Sequence, residues 1–230
     1  MKGFALPVLC FWVLSFGMLP ISSSSAADTV QLPKPALTGK MPVEQAMAQK
    51  KSVREFSPKP LSLAEVSQLL WAANGNLSLD AVSSATTKVI PSAGGLYPLE
   101  VFLVCGKDTV TGLGEGVYHY NATANTLVNL AAGDSRTTVA SACLSQMWMA
   151  KAPVMVIIGA IFARTTAKYG STGTQYVLME AGNANQNVYL QAESLGLRVA
   201  TVGAFQQGQV VAAAKLPNAV TPLLVMPVGK

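Results

Sequence analysis

Three short stretches of this chain carry side chains, or bare backbone, at spacings that could do chemistry. In the run Lys50, Lys51, Ser52, Val53, Arg54, Glu55, Phe56, an extended backbone would put Lys50, Ser52 and Arg54 on one face, because side chains alternate along a strand. Two cations flanking a hydroxyl can clasp a phosphate group, since charge-assisted donors bind its oxygens about twice as strongly as neutral ones. A short basic run also describes a solvated face. The run from Pro91 through Ser92, Ala93, Gly94 and Gly95 to Leu96, Tyr97 and Pro98 is nearly bare of side chains, so a flat ring or a phosphate could approach its main-chain amides. The plain alternative is an ordinary glycine-rich loop before a strand. Its glycine spacing is neither that of a dinucleotide fingerprint nor that of a Walker loop. Val202, Gly203 and Ala204 are small residues at a strand end, giving either access for a ligand or close core packing.

These stretches need elements to position them. The patterning predicts helices over 43–50, 63–73, 135–149, 173–197 and 209–216, and strands over 99–105, 154–160, 199–202 and 223–228. Residues 116–121 and 126–130 read as two strands of a hairpin. Ser62, with Glu65 three residues on, makes a capping box for the second helix, and Asn74 and Gly75 stop it. Along 173–197 an apolar stripe (Val177, Ala181, Ala184, Val188, Leu195) adjoins a polar one (Glu180, Asn183, Asn187, Gln191), which either meets solvent or forms buried hydrogen bonds between subunits. Helices interspersed with apolar strands and one hairpin place the chain in a layered class mixing α and β.

The chain has 230 residues, 50% hydrophobic and 12% charged, enough for one sizeable core and without a disorder-prone stretch. Lys2, an apolar run over 3–21 and small residues over 22–27 have the order of a Sec-type secretory signal. Residues 1–27 are therefore expected to be a signal peptide cleaved near Ala27, giving a periplasmic or extracellular protein. The alternative is an uncleaved membrane anchor. Residues 28–40, proline-rich and without periodicity, read as an extended arm or linker, and 41–230 as the domain. The net charge of +5 becomes +4 once Lys2 leaves, and the basic residues form no stripe, which argues against a nucleic-acid partner. A single histidine, His119, and no cysteine pair at ligand spacing argue against a zinc or iron centre. Cys105 and Cys143 leave a disulfide open.

Taken together and in order, the segments resemble a known family. Lys50–Phe56 is similar to the Arg-Arg-Ser-x-Arg-x-Phe opening of nitroreductases, and Pro91–Val104 to the loop and strand of their SagB-type dehydrogenase branch. The segments at 116–121, 180–197, 202–205 and 227–229 continue the likeness. The resemblance implies an α+β fold with a central mixed sheet flanked by helices, a homodimer, and FMN at the dimer interface. It implies that Lys50, Lys51, Ser52 and Arg54 hold the phosphate, ribityl chain and pyrimidine edge. Pro91, Ser92, Ala93, Gly94 and Gly95 would line the isoalloxazine, and the backbone of Val202, Gly203 and Ala204 would face flavin N5. Lys168 and Tyr169 fall where azoline-oxidising members carry a Lys-Tyr pair that removes a proton; a lysine serves as a base only where burial or a neighbouring cation lowers its pKa from about 10.4 toward neutrality, and an exposed lysine on a connecting loop is the other reading. The residues after them, Ser171 to Gln175, lack two arginines common in that group. The implied activity is an FMN-dependent oxidoreductase that transfers hydride through N5, with NAD(P)H a candidate reductant. The substrate stays open among a nitro compound, a quinone, and a peptide or small metabolite to be dehydrogenated. An exported, non-catalytic binding protein that keeps the fold without flavin turnover is the alternative.

Overall fold

The computed structural model describes Met1, residues 28–79 and residues 86–230. The expected signal peptide therefore lies outside the described residues, apart from Met1. The helices are α1 (Val43–Gln49), α2 (Leu63–Asn74), α3 (Arg136–Ala142), α4 (Ala163–Tyr169), α5 (Thr172–Ser194) and α6 (Gln207–Ala213). The strands are β1 (Thr29–Gln31), β2 (Leu61–Ser62), β3 (Asn76–Leu79), β4 (Thr86–Lys88), β5 (Leu99–Cys105), β6 (Val110–Thr111), β7 (Gly116–Asn121), β8 (Thr126–Ala132), β9 (Val154–Ala160), β10 (Arg198–Val199) and β11 (Thr221–Gly229).

Seven strands form the main sheet in the order β1-β8-β7-β5-β9-β11-β10. Its named pairs are antiparallel. A parallel bridge from Ser52 to Val199 adds the basic segment beyond β10 and makes the sheet mixed. The unbroken apolar runs of β5 and β9 follow from cover on both faces. Leu99, Val101 and Leu103 of β5, with Val154, Val156 and Ile158 of β9, pack against Val66, Leu69 and Leu70 of α2 and Val177, Ala181, Ala184 and Val188 of α5. On the opposite face Phe102, Val104, Met155 and Ile157 meet Val139 and Ala140 of α3 and Val210 of α6. The architecture is thus α+β, helices on both sides of one sheet. Cys105 lies in the first cluster and Cys143 in the second, and both are free thiols, so no disulfide joins them.

Three expectations need correction. Part of the 28–40 arm is packed: β1 pairs with Thr126–Val128 as an edge strand, and Leu32 is 2% exposed. Proline spacing hides this, because one short edge strand needs only a few ladder bonds. The helix expected over 135–149 ends at Ala142, where Leu144 and Ser145 both take positive φ (54° and 56°) and reverse the chain into a 3-10 turn, Met147–Lys151. No glycine or proline signals that break. The 163–169 segment, given no element from sequence and allowing Lys168 a place on a connecting loop, is helix α4.

Candidate functional site

The basic segment starts where α1 stops. Lys50 leaves helical conformation (φ −55°, ψ 136°) while its N–H still donates to Ala46 O. Ser52 then bridges Val199, and Val53 N–H donates to Val199 O at 2.9 Å. Lys50 and Ser52 share one footing, whereas Arg54 stands on another ring. The Lys50 ammonium lies 5.5 Å from the centre of the Tyr189 ring, and the Ser52 and Tyr189 hydroxyls share a hydrogen bond of 2.8 Å. The Arg54 guanidinium lies 5.7 Å from the centre of the Trp148 ring, on which Phe56 also stacks at 6.4 Å. Each cation–ring contact at such a site stabilises by about 0.5–1 kcal/mol. Lys51 is exposed. Lys230, a further candidate cation, instead pairs with Glu65 at 3.4 Å.

Beyond β10 the chain stays on the same edge. Val202 exchanges both backbone hydrogen bonds with Val225, each 2.9 Å. Gly203 and Ala204 follow, exposed. A Cβ added to Gly203 would meet nothing within 4 Å. The turn is held from behind, because Gln206 N–H donates to Ala142 O at 3.1 Å and Gln146 Nε2 donates to Ala204 O at 3.4 Å. Lys50, Lys51, Ser52 and Arg54 are therefore brought to one sheet edge with Val202, Gly203 and Ala204.

The glycine loop forms a second group. After Pro91 and Ser92 a 3-10 turn spans Ala93–Gly95, with Gly94 and Gly95 at φ 62° and 66°, a region that glycine enters without strain. Glu180 of α5 grips the turn. Its Oε1 accepts from Ser92 Oγ at 2.8 Å and from Ala93 N–H at 3.1 Å, and Ser92 Oγ in turn accepts from Tyr97 N–H at 2.9 Å. Lys168 and Tyr169 close the other side: a Cβ on Gly94 would lie 2.6 Å from Tyr169 Oη and 3.0 Å from Lys168 Nζ. Tyr169 is steadied edge-on by Tyr176 at 5.2 Å. Lys168 is exposed, so within one chain the burial that base chemistry calls for is not supplied. Arg164 donates to Tyr97 O and to Glu100 Oε1, tying the end of the loop to β5.

Behind this loop Glu180 is buried, and Lys88 and Glu100 are half-buried. Burial pushes the Glu180 carboxyl up, against the pull of Ser92, Ala93 and Lys88. It pushes the Lys88 ammonium down, while Glu100 and Glu180 oppose the shift. Lys88 donates to Asn74 Oδ1 at 3.1 Å and lies 5.4 Å from the centre of the Tyr97 ring. Burial would raise Glu100 as well, but hydrogen bonds from His119 and Arg164 outweigh it and hold the carboxyl below its ordinary range.

The two groups stand apart within one chain. Tyr189 and Glu180 mark their places on α5, nine residues or about 13 Å along the axis. Sequence reasoning missed Tyr189 and Trp148 as seats for the cations, and gave Glu180 only as part of a stripe. Part of that polar stripe is satisfied inside the chain. Besides Glu180, Gln191 Oε1 accepts from Gln68 Nε2 at 3.1 Å and Asn187 Nδ2 donates to Val89 O at 3.5 Å, while Asn183 is exposed.

Residues 47–230 match the model of the nitroreductase family. A candidate nitroreductase of Methanocaldococcus jannaschii is 38% identical over 203 residues, covering 88% of this chain and 98% of that protein. The microcin B17-processing protein McbC of Escherichia coli is 28% identical over 152 residues, 63% of this chain and 56% of that protein. Among solved structures, a candidate nitroreductase from Ralstonia eutropha JMP134 superposes with a TM-score of 0.72 at 24% identity, covering 93% of this chain and 95% of that one.

Proposed function

The chain belongs to the nitroreductase family, and from that premise we propose that it is an FMN-dependent oxidoreductase of the SagB-type dehydrogenase branch, acting as a homodimer. The observation that carries the reading is the shared sheet edge, where Ser52 bridges Val199 and Val202 bridges Val225, so that a cationic segment and a bare glycine turn adjoin. The donor set suits FMN. Exposed cations and a hydroxyl match a phosphate, and at Gly95 and Gly203 an added Cβ would meet nothing within 4 Å, which leaves room for a flat ring. Behind the loop, the buried Glu180 Oε2 has no hydrogen-bond partner. It is an acceptor in want of a donor.

Bound FMN supplies reversible hydride transfer at N5. The chain's share is to bind and orient. Lys50, Lys51, Ser52 and Arg54 would hold the phosphate, the backbone from Pro91 to Gly95 would lie against the ring, and beyond Val202, whose own amide is held by Val225, the amides of Gly203 and Ala204 would offer a donor near N5. Lys168 and Tyr169, abutting Gly94, would hold or accept a substrate proton. Leu178 and Met179, 51% and 63% exposed, lie on α5 beside Glu180. This exposed apolar pair is where the proposed homodimer would seat its second copy.

The substrate is either a nitro compound or quinone reduced at the expense of NAD(P)H, or a peptide or small metabolite that is dehydrogenated. The likeness to McbC, named for processing microcin B17, favours a peptide substrate, and the proposed export would favour the second class too, because nicotinamide cofactors are scarce outside the cytoplasm. The purified protein should be yellow or should quench the fluorescence of added FMN. Anaerobic NAD(P)H then separates the classes: prompt bleaching marks the first, persistent colour the second. A preparation that is colourless and indifferent to FMN overturns the proposal. Export is tested separately by N-terminal sequencing of the periplasmic or secreted protein, which should begin near Asp28; an intact chain confined to the cytoplasm overturns it.

A further inference from the structure

The cations of the basic segment do not stand free. Lysine and arginine side chains have many rotamers, and holding them in one geometry opposes binding. Here two aromatic rings from distant parts of the chain restrict them. Tyr189 comes from α5 and is itself 8% exposed, so its ring is fixed by core packing; its face meets the Lys50 ammonium and its hydroxyl bonds to the Ser52 hydroxyl. Trp148 comes from the 3-10 turn after α3; its ring stacks with Phe56 at an interplanar angle of 19° and meets the Arg54 guanidinium. One ring thus serves positions 50 and 52, and the other positions 54 and 56. Phe56 and Trp148 brace each other.

We propose that Tyr189 and Trp148 are positioning residues that pre-set the Lys50, Ser52 and Arg54 side chains for the phosphate of the flavin, and so make the protein prefer FMN to riboflavin. This rests on the FMN reading above. The two flavins share the ring and the ribityl chain and differ only in the phosphate. A residue that acts through the cations must therefore change the ratio of the two affinities, whereas one that merely supports the fold weakens both alike.

The test measures dissociation constants for FMN and riboflavin by fluorescence quenching on the full-length protein. Wild type should bind FMN the more tightly. Trp148→Leu and Tyr189→Leu should each weaken FMN about 2- to 5-fold, the equivalent of one such cation–ring contact, and leave the riboflavin affinity unchanged. Trp148→Phe, which keeps a ring face, should restore much of the preference. Tyr189→Phe should keep the Lys50 seat and lose only the tie to Ser52. In an Arg54→Ala background, Trp148→Leu should have little further effect on the ratio, because the two act in series. Should a leucine variant fail to fold by circular dichroism, Trp148→Met and Tyr189→Met, which fill volume without a ring, carry the test. An unchanged FMN to riboflavin ratio in the ring-less variants, or equal affinities in wild type, overturns the inference and leaves the FMN assignment standing. Wild type that binds neither flavin overturns both.

Discussion

At the scale of single residues, the proposed site sets burial against charge. Glu180, 3% exposed, keeps a carboxyl behind the glycine loop although burial disfavours its ionised form. Its pKa is raised on folding, so its favourable contribution is complete below the unfolded value and lost as pH rises through the folded one. Glu100 runs the other way: its lowered pKa gives stability present above the unfolded value and lost as pH falls. Glu180→Gln keeps an acceptor for Ser92 and Ala93 without the charge. Thermal melts across pH should therefore show the variant gaining on wild type as pH rises from acid to neutral; a gap that does not change with pH contradicts the assignment. Glu180→Leu strands two donors and should cost about 1–3 kcal/mol.

Gly203 supplies a second residue-scale prediction. Its φ is not positive and nothing lies within 4 Å of an added Cβ, so Gly203→Val should leave stability within about 0.5 kcal/mol while obstructing a ring laid over that turn. Loss of FMN quenching at an unchanged melting temperature is the expected result; full retention of FMN affinity speaks against a flavin there.

Among the elements, α2 shows how local chemistry sets a boundary. Ser62 Oγ accepts from Glu65 N–H at 3.2 Å, and Glu65 Oε2 accepts from Ser62 N–H at 2.6 Å, closing the box expected from sequence. Ser62→Ala should cost about 1 kcal/mol by denaturant titration, with no change in the slope against denaturant. A much larger loss would mean that β2, which pairs Ser62 with Thr111, depends on the same residue. The 136–151 region shows the opposite case. Its sequence suits a helix, but positive φ at Leu144 and Ser145 breaks it, and only then does Trp148 reach Arg54.

In the whole molecule Tyr189 and Glu180 set the basic segment and the glycine loop at separate places on α5, and the proposed function unites them through a second copy. Met179→Glu puts a charge on the exposed face of α5 without touching the core. Sedimentation should show it monomeric at concentrations where wild type is dimeric, and FMN affinity should fall with the dimer. A monomeric variant that binds FMN as wild type does would place the complete site within one chain.

Much of this protein was legible one residue after another. The capping box of α2, the two-faced strands β5 and β9, the β7–β8 hairpin and the bare glycine loop follow from interactions spanning a few residues, and local pattern records those. The edge strand β1, the break after Ala142 and the inward role of Glu180 were not legible, since each depends on a partner far along the chain. Ser52 finds Tyr189 across 137 positions, and Ser92 finds Glu180 across 88. The sequence alone determined which residues could bind a phosphate or admit a ring. Only the tertiary structure decided which of them share an edge, because packing α5 against the sheet brings together groups that periodicity cannot relate.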